Sequence, residues 1–312
     1  MAYQLQEINR RIRADAAGFL AECDADYAAR VSRTADKILN NLSRSPIVLL
    51  SGPSGSGKTT TAMKLAEELR RRGINSHAIA LDNYFLTVDP ATSPRTPEGE
   101  LDFESPACLD MELLDRHFIA LSAGDEVLIP RFDFTRRRRD EGHGVPLRLG
   151  KDEVAVFEGI HALNDDIAGR HPEATNLYVS VRSTVRDGSR ARFTGVGTRL
   201  VRRIVRDYQF RATEAAETLA MWDTVRRGER LYVSPYRPRA DVLFDSFLPY
   251  EISVMRRFAV PILERVPRGR EGYAALRRLM ARFSDFEPVD PALVAPDSLL
   301  REFIGGGSYD YQ

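Results

Sequence analysis

Apolar residues recur at Leu20, Cys23, Tyr27, Val31, Ala35, Ile38 and Leu42, in steps of three and four. That spacing predicts a helix from about Ala16 to Leu42, with its apolar face packed on the domain behind it. A dimer contact through that face, and hence a homo-oligomer, is left open. A continuous apolar run then predicts a buried strand over Pro46–Ser51, and an amphipathic run predicts a helix over Lys58–Arg72. Further strands are expected at His77–Leu81 and within "EVLIPRF", "DEVAVFEGIHALN", "TNLYVSV" and "ADVLFDSF". Helical patterns fall at Thr198–Arg211, Thr213–Arg227 and Tyr250–Arg265, while "RRRRDEGHGVPLRLGK" reads as a loop or hairpin. Strands alternating with helices predict an α/β fold, with a mostly parallel sheet covered by helices on both faces.

Composition narrows the partners. Lys plus Arg equals Asp plus Glu, 45 against 45, so no global field attracts nucleic acid or membrane and any anion site is built locally. The two cysteines, Cys23 and Cys108, have no metal-type spacing and suit a reduced, intracellular setting. The first twenty residues lack an apolar signal core, and no stretch approaches the ~18 apolar residues of a membrane span, so a cytoplasmic location is expected.

Between the first strand and its helix, Gly52-Pro53-Ser54-Gly55-Ser56-Gly57-Lys58-Thr59 fits G-x-x-x-x-G-K-[ST]. Glycines there let backbone N–H groups turn inward around phosphate oxygens, and the helix adds its positive N-terminal end. Lys58 is placed to reach the β and γ phosphates of ATP, and the Thr59 hydroxyl to bind Mg²⁺. Gly52, Ser54, Gly55, Ser56, Gly57 and Thr60 are counted with them as ATP-binding positions.

Two carboxylates sit where ligands gather in doubly wound sheets, beyond the carboxyl ends of strands. Asp82 follows the His77–Leu81 strand, and Glu158 ends Val154-Ala155-Val156-Phe157. One can hold the metal, and the other can accept a proton from an attacking hydroxyl. No N-K-x-D guanine loop or L-S-G-G-Q-like signature is present, which sets GTPases and transport ATPases aside. In "TRLVRRIVRD", Arg199, Arg202, Arg203 and Arg206 share one helix face and Leu200, Val201, Ile204 and Val205 the other. Four like charges on one face repel unless solvated or gathered around an anion, which suggests a lid over the phosphates. The run Arg136–Arg139 is short, lacks interleaved aromatics and precedes Asp140 and Glu141, so a solvated loop is preferred to an RNA site.

The ordered set "GPSGSGKTT", "LDNYF", "LDFESP", "IPRFDF", "VFEGI" and "TRLVRRIVRDYQFR" resembles uridine kinase and its phosphoribulokinase relatives, in particular a bacterial uridine kinase-like branch. The resemblance implies a P-loop kinase domain over 46–270, with a lid at about 185–215. A helical extension over 1–45 and a helical tail over 271–312 would flank it. It implies that Asp82 activates a nucleoside 5′-hydroxyl near Mg²⁺, with Thr59 and Glu158 completing the metal site. Phe85, Phe132 and Phe134 would border the base and Glu104 would hold the ribose. Arg199 would help the acceptor, and Arg202, Arg203 and Arg206 the phosphates.

Two positions depart from that pattern. Glu104 stands where the family's ribose acid is Asp. Arg137 stands where a histidine reads the pyrimidine edge, and arginine can only donate. Arginine equally suits an acceptor carrying its own phosphate or carboxylate. The expected activity is therefore ATP-dependent phosphorylation of a small-molecule hydroxyl, foremost the 5′-OH of uridine or a related nucleoside. The alternatives are a phosphoribulokinase-like kinase of an anionic sugar and a nucleotide-binding regulator that transfers nothing.

Overall fold

The computed structural model describes residues 1–140 and 142–311; Glu141 and Gln312 lie outside the described residues. A short strand β1 (Ala2–Gln4) leads into the long helix α1 (Leu5–Asn41). The helix starts earlier than its apolar pattern suggests and is broken at Asp15, where the backbone leaves helical geometry. The Asp15 carboxylate accepts the Gly18 N–H at 2.9 Å, so it caps the part of the helix that the periodicity marks. In that part Leu20, Cys23, Tyr27, Val31, Ala35 and Ile38 are all buried.

Strand β2 (Ile47–Ser51), helix α2 (Lys58–Arg71) and strand β3 (Asn75–Ala80) follow, then α3 (Met111–Ala123). Next come β4 (Val127–Ile129), β5 (Phe132–Asp133), β6 (Arg138–Arg139) and β7 (Val145–Leu147). The chain continues through β8 (Glu153–Glu158), β9 (Thr175–Ser180), β10 (Thr184–Asp187) and β11 (Arg190–Phe193). It ends with α4 (Gly195–Phe210), α5 (Ala215–Gly228), β12 (Val242–Asp245), α6 (Glu251–Glu264), α7 (Tyr273–Ala281) and α8 (Arg301–Ile304).

The central sheet is fully parallel, in the order β12-β9-β2-β8-β3. Alternation along β2 feeds two cores. Val48 and Leu50 face α1, α2, α4 and α6, whereas Ile47 and Leu49 face α3 and the loops beyond β8. The first core runs from Leu5 in α1 to Ile304 in α8, so both ends of the chain contribute apolar side chains to it.

The segment "EVLIPRF" does not join that sheet. Its β4 pairs antiparallel with β7, and its Phe132–Asp133 pairs with Arg138–Arg139 in a separate ladder. The arginine run thus sits on a hairpin, one of the two forms expected, with Arg136, Arg137 and Arg138 exposed and only Arg139 drawn inward. Arg139 is drawn in by Asp110 at 2.8 Å and by the Tyr84 carbonyl at 3.2 Å. Among the described residues, no helix is long and apolar enough to cross a membrane.

Leu65 of α2 is fully buried in the first core. Leu65→Ala should lower stability by about 2–5 kcal/mol, read as a reduced denaturation midpoint with an unchanged m-value.

Candidate active site

Three neighbouring strands carry the site at their carboxyl ends. In register, Glu158 at the end of β8 stands beside Leu50 of β2 and Ala80 of β3. The chain leaves β2 into the glycine-rich loop, and leaves β3 into a single helical turn, Leu81–Tyr84, that presents Asp82. Parallel pairing therefore brings loop, Asp82 and Glu158 to one edge, although they lie far apart in sequence.

Gly55 and Gly57 adopt φ of 72° and 83°, in the left-handed region where a side chain would be strained. Gly57 caps α2, so Lys58 begins the helix and the first N–H groups of α2 face the loop. The loop is held from outside. Arg199 donates to the Ser54 carbonyl at 3.0 Å and Arg202 to the Gly55 carbonyl at 3.2 Å, while Ser246 Oγ donates to the Ser56 carbonyl at 2.5 Å. The Ser56 N–H is taken within the loop by the Pro53 carbonyl at 3.1 Å, and the outward engagement of the Ser54, Gly55 and Ser56 carbonyls fixes the shape of the turn around it.

The four arginines of α4 divide into two pairs. Arg199 makes a bidentate pair with Glu229 at 2.8 and 2.9 Å, and Arg202 one with Glu251 at 2.7 and 3.1 Å. The Arg202 and Glu251 side chains are both 0% exposed. These two side chains are committed to internal carboxylates and to the loop's backbone. Arg203 and Arg206 share Asp207, and Arg203 also donates to Ser54 Oγ at 3.0 Å. They remain half-buried at the loop's edge. The anions that gather the arginine face are thus, in the first instance, the protein's own carboxylates.

Lys58 lies at the electrostatic centre. Burial raises the Glu158 carboxyl above its ordinary value, and Lys58 opposes that shift. Asp82 opens to the cleft, but the protein surrounding it likewise raises its carboxyl, against Lys58 and Arg211. Burial pushes Glu104 up to about 7, against Arg203 and Lys58 and with help from Asp102 and Asp82. The Thr59 hydroxyl is 3.5 Å from Glu158 Oε1. Among the described residues no three His, Cys, Asp or Glu side chains form a metal cage. One hydroxyl and two crowded carboxylates instead match a hard cation held jointly with substrate phosphates and water.

Past the turn that carries Asp82, a cavity of about 280 Å³ opens from Phe85 onward, and Asp82 itself is not part of its lining. Phe85, Phe132 and Phe134 pack around one another with centroids 5.1–6.3 Å apart. Arg137 lies over Phe103, 5.5 Å from the ring centre. Glu104 does not line this cavity; it stands next to Gly228 of α5, so close that any side chain at Gly228 would strike it.

Several site residues escaped the sequence reading. Asp102, buried inside the quoted "LDFESP", accepts from Arg227 at 3.2 Å and the Tyr232 hydroxyl at 3.3 Å. Those partners are more than a hundred residues away, and no local spacing points to them. His161, three residues after Glu158, is buried, and burial pushes its imidazole down to about 4, so the ring is neutral. Glu229 and Glu251 were legible only as charges.

A parallel sheet with a phosphate loop after its central strand defines the P-loop nucleoside-triphosphate-binding fold. A crystal structure described as a fructose transport system kinase from Silicibacter sp. TM1040 shares that fold. Its TM-score is 0.50, it is 21% identical, and the match covers 68% of this chain and 98% of that one. The Phosphoribulokinase / Uridine kinase family model matches residues 47–253, and the chain belongs to that family. Uridine kinase of Halobacterium salinarum is 27% identical over 195 residues, which is 62% of this chain and 77% of that protein. Uridine kinase of Yersinia pestis is 26% identical over 243 residues, 77% of this chain and 95% of that protein. The protein is an ATP-dependent phosphotransferase that acts on a hydroxyl of a small metabolite.

Two outcomes follow from this geometry. Arg202→Met should cost about 3–5 kcal/mol by stranding Glu251. Adding Glu251→Leu should restore much of that stability without restoring ATP affinity, because the Gly55 carbonyl loses its donor; denaturation and calorimetric titration separate the two effects. Glu104 keeps its proton longer when folded, about 7 against an ordinary 4.5. The folded state therefore binds more protons between these values, and stability falls as pH rises through that window. Glu104→Gln should flatten the decline in unfolding curves measured from pH 4.5 to 7.5.

Proposed function

We propose that the protein transfers the γ-phosphate of ATP to the 5′-hydroxyl of uridine or a related nucleoside. The observation that carries this reading is the aromatic cavity bordered by Phe85, Phe132 and Phe134, whose wall begins at Phe85, where the chain leaves the turn that carries Asp82. Flat rings around a cavity of this size favour a planar base.

The phosphates of ATP lie along the loop, from Gly52 to Thr60. Asp82 accepts the proton of the attacking hydroxyl and aligns it with the γ-phosphorus. Lys58, with Arg203 and Arg206 at the loop's edge, neutralises charge as it spreads over the transferring group. Thr59, Glu158 and Asp82 would hold Mg²⁺, which would supply neutralisation of the phosphates' negative charge. Glu104 stands outside the aromatic cavity, within electrostatic reach of Lys58 and Asp82, and once ionised it would accept from sugar hydroxyls on that side. Arg199 and Arg202 act one step removed, by fixing the loop's carbonyls.

A second acceptor class is favoured by one residue. Arg137 lines the cavity and carries a donor-only guanidinium, suited to an acceptor with its own phosphate or carboxylate. Incubation with a panel of nucleosides and sugar phosphates, with products resolved by mass, decides between them. A uridine 5′-monophosphate product is expected. Phosphorylation of anionic sugars alone would replace the nucleoside reading.

Asp82→Asn should reduce turnover by at least ~10²-fold while ADP affinity stays within about threefold. Wild-type turnover in that variant would remove Asp82 from its assigned role.

A further inference from the structure

The family match ends at residue 253, yet the chain beyond it returns to the phosphate loop. Leu299 closes directly over Gly57, leaving no room there for a side chain. Asp297 pairs with Lys64 at 2.5 Å, and the Tyr309 hydroxyl donates to Glu67 at 2.5 Å, so the tail is fastened along α2. Glu302 accepts from Thr60 twice, from Oγ1 at 2.6 Å and from the backbone N–H at 3.3 Å. The Tyr311 hydroxyl meets the same Thr60 Oγ1 at 3.3 Å. Arg301 shapes the turn from inside, donating to the carbonyls of Pro291, Val294, Ala295 and Gly305.

Between this tail and the end of α4 lies a cavity of about 540 Å³. Thr59, Arg206, Phe210 and Arg211 line one side, and Tyr309 and Tyr311 the other. It shares no lining residue with the aromatic cavity of Phe85, Phe132 and Phe134.

We propose that this cavity holds the base and ribose of the phosphate donor, so that the tail beyond the family match is one wall of the nucleotide site. The inference rests on the kinase reading given above. Thr59 belongs both to the phosphate loop and to the cavity wall, so one nucleoside triphosphate spans the two. Phe210 is 56% exposed and lines the cavity, where it offers a ready face for a planar base. The tyrosine rings and the guanidinium planes of Arg206 and Arg211 offer further stacking surfaces. The exposed backbone of Gly306 and Gly307 can meet the polar edge of a base.

Glu302 adds a sign that a passive wall would not have. The Thr60 N–H is one of the helix's first donors, of the kind that phosphate loops direct at their anion. In the structure a carboxylate takes it, so an incoming phosphate oxygen must displace Glu302 from that donor.

Calorimetric titration of the full chain with ADP and with inorganic tripolyphosphate, each with Mg²⁺, tests the proposal. Tyr311→Ala and Phe210→Ala should each weaken ADP about tenfold, or ~1.4 kcal/mol, and leave tripolyphosphate within about twofold. Glu302→Gln should strengthen tripolyphosphate several-fold. Phe210 is exposed, so its variant keeps the test open if Tyr311→Ala fails to fold. Equal losses for both ligands would make the tail a mere support of the loop and overturn the proposal. Unchanged ADP affinity in both variants would overturn it as well, leaving the kinase reading standing. Failure of the wild-type protein to bind ADP at all would instead remove the kinase reading.

Discussion

The shape of the phosphate loop depends on a buried ion pair, Arg202 with Glu251, that has no exposed side-chain surface. Such a pair is costly to desolvate and rarely adds much stability by itself. Here its guanidinium has further work: it binds the Gly55 carbonyl and the Ser246 carbonyl, and so ties the phosphate loop to the start of α6. Arg199, paired with Glu229, repeats the arrangement at Ser54. The loop's shape is therefore set by α4, α5 and α6, which come more than a hundred residues later. Arginine is suited to the task because its rigid fork can satisfy a carboxylate and a carbonyl at once.

The cleft in front of that loop is under electrostatic tension. Glu158, Asp82 and Glu104 all have their carboxyls raised by the surrounding protein, and Lys58 is common to all three as an opposing charge. A site that relieves such crowding by accepting a cation and a polyanion together is suited to phosphoryl transfer, where positioning and charge neutralisation do most of the work. In the proposed reaction the two cavities flank this centre, the aromatic one for the acceptor and the tail-lined one for the donor.

The fold was largely legible because its signals are local. The five apolar runs of the central sheet, the loop's glycines and the periodicity of α1, α4, α5 and α6 all appear within short windows of sequence. "EVLIPRF" misled as to location, since a strand's composition does not say which strand it pairs with. The arginine face of α4 was visible, but its partners were not. Glu229, Glu251 and the loop's carbonyls are brought to it only by packing, so the spacing could suggest gathered anions without saying whose.

By itself the sequence determined that a phosphate loop follows a buried strand in a parallel α/β fold, and that carboxylates end two of the strands. Those features depend on residues adjacent in the chain, where propensity and periodicity act directly. Only the tertiary structure decided which charges neutralise which. It placed Asp102 against Arg227 and Tyr232, drew Arg202 inward to Glu251, and returned Glu302 to Thr60 across 242 residues. The reason is physical: burial and long-range pairing set the energy of a charge, and neither is written in its immediate neighbours.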